Sequence, residues 1–140
     1  MKVAPLLILC FWIGGCATAS SSGEGILTKT YHYADGSLMV EEPYRDGKLD
    51  GVVKIYYQEG ALWREESFKE NELHGPYKVY YRNGALKMEK QFKDGKAEGI
   101  GRQYDPNEKL RALGTYRDGK LIHLERYDEA GNLIVENESD

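Results

Sequence analysis

The residues that could do chemistry in this chain recur at a fixed interval. Glu41, Glu65 and Glu89 stand 24 positions apart, and carboxylates held in register are a starting point for general acid–base work. Lys54 and Lys78 repeat at the same interval. A strand pairing that sets Lys54 against Glu65 and Lys78 against Glu89 would occupy those carboxylates in a salt-bridge ladder. A second recurring set is aromatic: Tyr56, Tyr80 and Tyr104, with Trp63, lie interleaved with Lys54, Lys78 and Arg102. Rings mixed with cations can stack single-stranded nucleic acid or hold a sugar, and Tyr, Trp and Arg dominate protein-binding hot spots. The chain carries 19 basic and 23 acidic residues, a formal net charge of −4, so a nucleic-acid partner, which needs a basic surface, is not expected. Tyr56, Trp63, Tyr80 and Arg102 are the expected centre of a protein-binding face; the alternative is that the tyrosines serve only as cross-strand pairs. His32, His74 and His123 are scattered, with no cysteine at metal-ligand spacing. Ser37 and Ser67 sit in no G-x-S-x-G elbow, and no glycine-rich phosphate loop occurs. The expectation is a binder, not an enzyme, with no catalytic residue, no metal site and no cofactor.

Those residues recur because the chain does. From Tyr44 to Thr115 a 24-residue unit is written three times, beginning YRDGKLDGVVKIYY, FKENELHGPYKVYY and FKDGKAEGIGRQYD at Tyr44, Phe68 and Phe92. A shorter copy starts at Tyr116, and half a copy (YHYADGSL) precedes the set at Tyr31. Within each copy, X-Gly pairs such as Asp46-Gly47 and Glu59-Gly60 alternate with segments rich in Val, Ile, Tyr, Phe and Trp. Such pairs suit two-residue hairpin turns, and the segments read as strands. Two-residue turns throughout predict Tyr33–Leu38, Tyr44–Leu49, Tyr57–Leu62, Phe68–Leu73, Tyr81–Leu86 and Tyr116–Leu121 as cross-strand neighbours, with Tyr56 facing Trp63. Gly51, Gly75 and Gly99 fall opposite Phe68, Phe92 and Tyr116, which would leave each ring room to lie over bare backbone. The predicted fold is all-β: an elongated, single-layer antiparallel meander of 24-residue hairpin repeats, apolar on one face and wet on the other.

The YRDGKLDG, FKENELHG and FKDGKAEG cores, with their YYxxGxL continuations, resemble the MORN repeat in its bacterial variant form, over Tyr31 to about Val135. Chains of this kind are often grouped as a YwqK-like antitoxin family, so the resemblance implies an antitoxin-like or immunity-like role and repeats that are not catalytic units. Glu108 replaces a turn glycine, Asp105 a second tyrosine and His123 the glycine of the fourth copy. Degeneracy of this sort is expected of a capping repeat.

Ahead of the repeats, Lys2 and the apolar run from Val3 to Ile13 read as a secretory signal, because that run is shorter than the roughly 20 residues a spanning helix needs. Ile13-Gly14-Gly15-Cys16 resembles the bacterial lipobox, which implies cleavage after residue 15 and lipidation of Cys16. The alternative is an ordinary signal peptide cut near Ala17-Thr18-Ala19. The expected organisation is a leader at 1–15, the lipidated cysteine and a flexible tether at 16–25, the repeat domain at 26–135 and an acidic tail at 136–140. Ala17, in place of Asp, after the cysteine resembles the sorting pattern for the outer membrane, so the expected place is its periplasmic side. Two readings follow: a lipid-anchored scaffold that engages an unknown protein through its sheet, or a structural, self-associating lipoprotein of the cell envelope.

Overall fold

The computed structural model describes residues 18–22 and 25–138. They form one antiparallel sheet of twelve strands: β1 (Thr18–Ser22), β2 (Ile26–His32), β3 (Leu38–Arg45), β4 (Lys48–Leu49), β5 (Gly51–Tyr56), β6 (Leu62–Lys69), β7 (Glu72–Tyr80), β8 (Leu86–Lys93), β9 (Lys96–Tyr104), β10 (Leu110–Arg117), β11 (Lys120–Tyr127) and β12 (Leu133–Glu138). Sequence neighbours are sheet neighbours throughout, with β4 a short stub on β3. The all-β, single-layer meander is therefore the observed fold. The Ser-rich stretch expected to be a tether contributes β1, which pairs with β2 from Thr18↔Thr30 to Ser22↔Ile26. Among the described residues nothing packs over either face. Among the described residues only Val53 and Ala97 are buried hydrophobic side chains, so stability comes from each hairpin resting on the next, as in other repeat arrays.

The turns fall into two alternating classes, where the sequence suggests one. Asp46-Gly47, Glu70-Asn71, Asp94-Gly95 and Asp118-Gly119 place both central residues at positive φ (49° and 78° in the first); these are two-residue primed turns. In the other class only one residue has positive φ: Gly36, Gly60, Gly84, Glu108 or Gly131. There Tyr57 donates its N–H to the Ala61 carbonyl at 2.8 Å, and Gly60 donates to the Tyr57 carbonyl at 2.9 Å. That is a three-residue loop built on a type I turn closed by a left-handed residue.

The extra loop residue moves the pairing by one. His32, Tyr56 and Tyr80, rather than Tyr33, Tyr57 and Tyr81, lie across from Leu38, Leu62 and Leu86. A one-residue bulge then restores the register, at Met39, Trp63, Lys87 and Arg111. Lys54↔Glu65 and Lys78↔Glu89 are consequently found as expected, whereas the Tyr56–Trp63 pair is not. Beside the primed turns, Tyr44↔Leu49, Phe68↔Leu73 and Tyr116↔Leu121 hold.

Gly51, Gly75 and Gly99 do face Phe68, Phe92 and Tyr116, but ring clearance is not why they are glycine. Their φ angles are 127°, 110° and 76°. Gly75 lies where the β6–β7 pairing slips by two residues, and Gly99 where β8–β9 does the same. A Cβ on Gly75 would meet the Ser67 Cβ at 3.1 Å, and one on Gly99 would meet nothing within 4 Å. At His123, in the fourth copy, the slip is a single residue. The glycines that a ring does cover are Gly101 and Gly114, where an added Cβ would stand 2.9 and 3.2 Å from Tyr116 Cε2.

Candidate functional site

Three ladders cross the sheet, each repeating with the 24-residue period. The first lies on the face that carries Lys54, Glu65, Lys78, Glu89 and Arg102. Tyr56 donates its phenol proton to Glu41 at 2.8 Å, Tyr80 to Glu65 at 2.9 Å and Tyr104 to Glu89 at 3.2 Å. Arg102 joins the third rung, 3.2 Å from Glu89. The expected lysine–glutamate ladder is thus a tyrosine–glutamate ladder: Lys54 and Lys78 stand opposite the carboxylates but form no ion pair among the described residues. Partial burial first, then the carboxylate acceptor, pushes Tyr56 and Tyr80 up to about 12 and raises Tyr104, since both effects favour the neutral phenol. At the fourth position Leu113 replaces the glutamate, and Tyr127 bonds Glu125 on its own strand.

The second ladder belongs to the tyrosine that leads into each three-residue loop. Tyr33 donates to the Tyr56 carbonyl at 2.8 Å, Tyr57 to that of Tyr80 at 3.2 Å and Tyr81 to that of Tyr104 at 2.8 Å. Each of these phenols ties one hairpin to the backbone of the next. The bulge residue of the same hairpin sits against the same position. The Trp63 ring centroid is 5.9 Å from that of Tyr57, Lys87 Nζ is 5.4 Å from the Tyr81 ring, and Arg111 grips Asp105 at 2.6 and 3.0 Å. The apparent defect at Asp105 is therefore a compensated exchange. Where tyrosine becomes aspartate, the bulge carries arginine, and Asp105 also accepts the N–H groups of Asn107 and Lys109 in the turn. Desolvation pulls the Asp105 carboxyl up, and the sum of these hydrogen bonds and the Arg111 charge outweighs it, so its pKa is lowered.

The third set joins the turns at both rims. On the three-residue-loop rim, Gln58 reaches Asp35 at 2.8 Å, Arg82 pairs with Glu59, and Asn83 donates to the Pro106 carbonyl at 3.2 Å. On the primed-turn rim, Lys48 meets Glu70 at 3.1 Å and Lys96 meets Asp118 at 3.3 Å. The intervening copy has Glu72 where a lysine is due, and there His74 takes over, 3.2 Å from Asp94.

The four residues expected to form one binding centre divide into two groups. Tyr56, Tyr80 and Arg102 share the glutamate ladder. Trp63, moved by its bulge, lies with Tyr57 and Arg64, whose guanidinium is 5.0 Å from its ring, and Arg82 stands 4.5 Å from the Tyr57 ring. Trp63 is 38 % exposed. This cluster of two rings and two guanidiniums was not legible as a unit, because it depends on the bulge. A shallow depression of about 190 Å³, floored by Gly101, Ala112 and Gly114 and walled by Met88, Lys90, Tyr116 and Leu124, was likewise missed. No group of three or more His, Cys, Asp or Glu arranged to hold a metal occurs among the described residues. Cys16 lies outside the described residues.

A family described as MORN repeat variant matches the chain at residues 49–70, 73–94 and 97–118. Each match spans one three-residue-loop hairpin, β5–β6, β7–β8 and β9–β10 in turn. No curated protein matches the chain.

Proposed function

The chain belongs to the MORN repeat variant family, and from that premise we propose that it is a non-enzymatic, lipid-anchored scaffold that binds a protein partner in an antitoxin-like or immunity-like manner. The single observation that carries the binding reading is the Trp63 cluster. A large, partly exposed indole is held by Tyr57 and Arg64, with Arg82 beside Tyr57, at the β6 bulge. Pre-positioned Trp, Tyr and Arg are the residues that concentrate binding energy, and rigid rings lose little entropy on docking. The anchor is Cys16, whose lipid would hold the sheet at the periplasmic side of the outer membrane. Affinity capture from the protein's own cells tests the reading, with the full chain and its Trp63→Ala variant as baits at equal folded amounts. A partner recovered by the parent and lost by the variant supports it; the same proteins in the same amounts from both baits refute it.

A second reading is favoured by the outer strand of the sheet, which has no neighbour beyond it among the described residues. On the last strand, β12, Leu133 and Ile134 are 49 % and 60 % exposed, and an open apolar edge is a template for pairing with another chain. A structural, self-associating role would appear as concentration-dependent oligomers of the purified chain, abolished by Ile134→Lys.

A further inference from the structure

We propose that the tyrosine–glutamate face is a track for an extended β-1,4-linked polysaccharide, with one disaccharide seated on each hairpin repeat. The track is distinct from the Trp63 cluster and does not depend on it. Three rungs have the same composition: Lys54, Tyr56 and Glu41; Lys78, Tyr80 and Glu65; Arg102, Tyr104 and Glu89. Adjacent rungs are two strands apart, about 9–10 Å along the sheet, which is close to the advance of one disaccharide in an extended β-1,4-linked glycan. A periodic ligand crossing the strands would therefore meet the same three groups at each step.

The rungs are also left with the hydrogen-bonding capacity that sugars use. In each carboxylate one oxygen takes the phenol (with Arg102 on the same oxygen of Glu89), while the other has no protein partner among the described residues. Lys54 and Lys78 keep their donors free of side-chain acceptors among the described residues. A carboxylate oxygen accepts a sugar hydroxyl in a charge-assisted hydrogen bond, and the half-buried phenol ring offers a surface for the C–H face of a pyranose. Charge selects against the obvious rival. Each rung holds one cation and one anion, so a nucleic-acid backbone would gain no net attraction and would meet three carboxylates. The ladder also has an end: Leu113 stands at the fourth glutamate position and Tyr127 turns to Glu125. Three rungs imply a footprint of six sugars.

The test is calorimetric titration of the full chain in detergent with β-1,4-linked N-acetylglucosamine oligomers of two, four, six and eight sugars. Cellohexaose distinguishes an acetamido requirement from the shared backbone, and an α-1,6-linked glucose hexamer is the control of wrong pitch. Affinity is expected to rise about tenfold or more with each added disaccharide, as linked contacts do, and to stop rising beyond six sugars. Glu65→Gln keeps an acceptor for Tyr80 but removes the charge, and it should weaken the hexamer about tenfold at unchanged melting temperature. Trp63→Ala should leave glycan binding unchanged, which separates this track from the protein-binding cluster. Equal affinity for dimer and hexamer, equal affinity for the α-1,6 control, no effect of Glu65→Gln, or no binding of either β-linked hexamer at millimolar concentration would each overturn the proposal.

Discussion

Gly75→Ala is the most informative small change to the fold, because the structure separates its two costs. The backbone at Gly75 has φ of 110°, outside the regions open to residues with a Cβ, and holding such a residue there costs about 1–3 kcal/mol. The new Cβ would also stand 3.1 Å from the Ser67 Cβ, a contact that β6 must yield to relieve. Gly99→Ala supplies the control: φ is 76° and no atom lies within 4 Å of the added carbon, so only the milder left-handed cost of about 1–2 kcal/mol applies. For a domain of this size each kcal/mol lowers the melting temperature by about 4 °C. Gly75→Ala should therefore melt roughly 8–12 °C below the parent and Gly99→Ala roughly 4–8 °C below it. Ser67→Gly placed in the Gly75→Ala background should recover the steric part and leave the torsional part. Thermal unfolding followed by far-ultraviolet circular dichroism and by Trp63 fluorescence reads both. If Gly75→Ala melts with the parent, glycine is not holding the β6–β7 slip and the account of the bulges fails.

Tyr56 and Tyr80 are pushed up to about 12, so their neutral phenols contribute stability that is complete below pH 10 and lost as pH rises through 12; in absorbance titration at 295 nm the Tyr56→Phe, Tyr80→Phe double variant should lose amplitude near pH 12 relative to the parent, and an unchanged amplitude there would contradict the ladder. Asp35 is lowered to about 2, first by its hydrogen bond from Ser37 and then by Gln58; its share of stability is present above the ordinary carboxylate pKa and lost as pH falls from about 4 towards 2, and acid melting curves of Gln58→Ala should show a smaller drop over that window than the parent. Arg111→Lys keeps the charge at Asp105 but loses the two-pronged grip, so chemical denaturation should find it less stable than the parent, whereas Lys87→Arg, which faces a ring, should be neutral. Cys16→Ser should leave the protein unprocessed or free of the membrane fraction, since acyl chains hold by about 0.8 kcal/mol per buried methylene; unchanged partition and gel mobility would exclude lipidation.

Much of this molecule is written openly in its sequence, and the reason differs from feature to feature. Asp46-Gly47, Asp94-Gly95 and Asp118-Gly119 name their turn, because a primed two-residue turn demands positive φ twice and little else meets the demand. Glu59-Gly60 and Asn83-Gly84 look alike on the page, yet only the glycine is left-handed in them; the loop length that distinguishes them lies in backbone hydrogen bonds that no residue type encodes. The distant pairs Lys54↔Glu65 and Lys78↔Glu89 were legible because the bulges at Trp63 and Lys87 cancel the longer loops. Trp63 itself was misplaced for the same reason, since a bulge changes which neighbours one side chain meets and spares the rest of the strand. The glutamates show a further limit: register sets Lys54 opposite Glu65, but the Tyr80 phenol, reaching across from β7, is what takes its proton acceptor.

The binding claim is tested most directly by the affinity of the captured partner for two variants of the full chain. Trp63→Ala removes the indole from its place against Tyr57 and Arg64, and a hot-spot residue costs about 2 kcal/mol or more, a loss of roughly thirtyfold in affinity. Tyr56→Phe, on the glutamate ladder, leaves that cluster intact and should bind as the parent does. A thirtyfold loss confined to Trp63→Ala is the expected result; equal affinities for parent and both variants would contradict the placement of the interface.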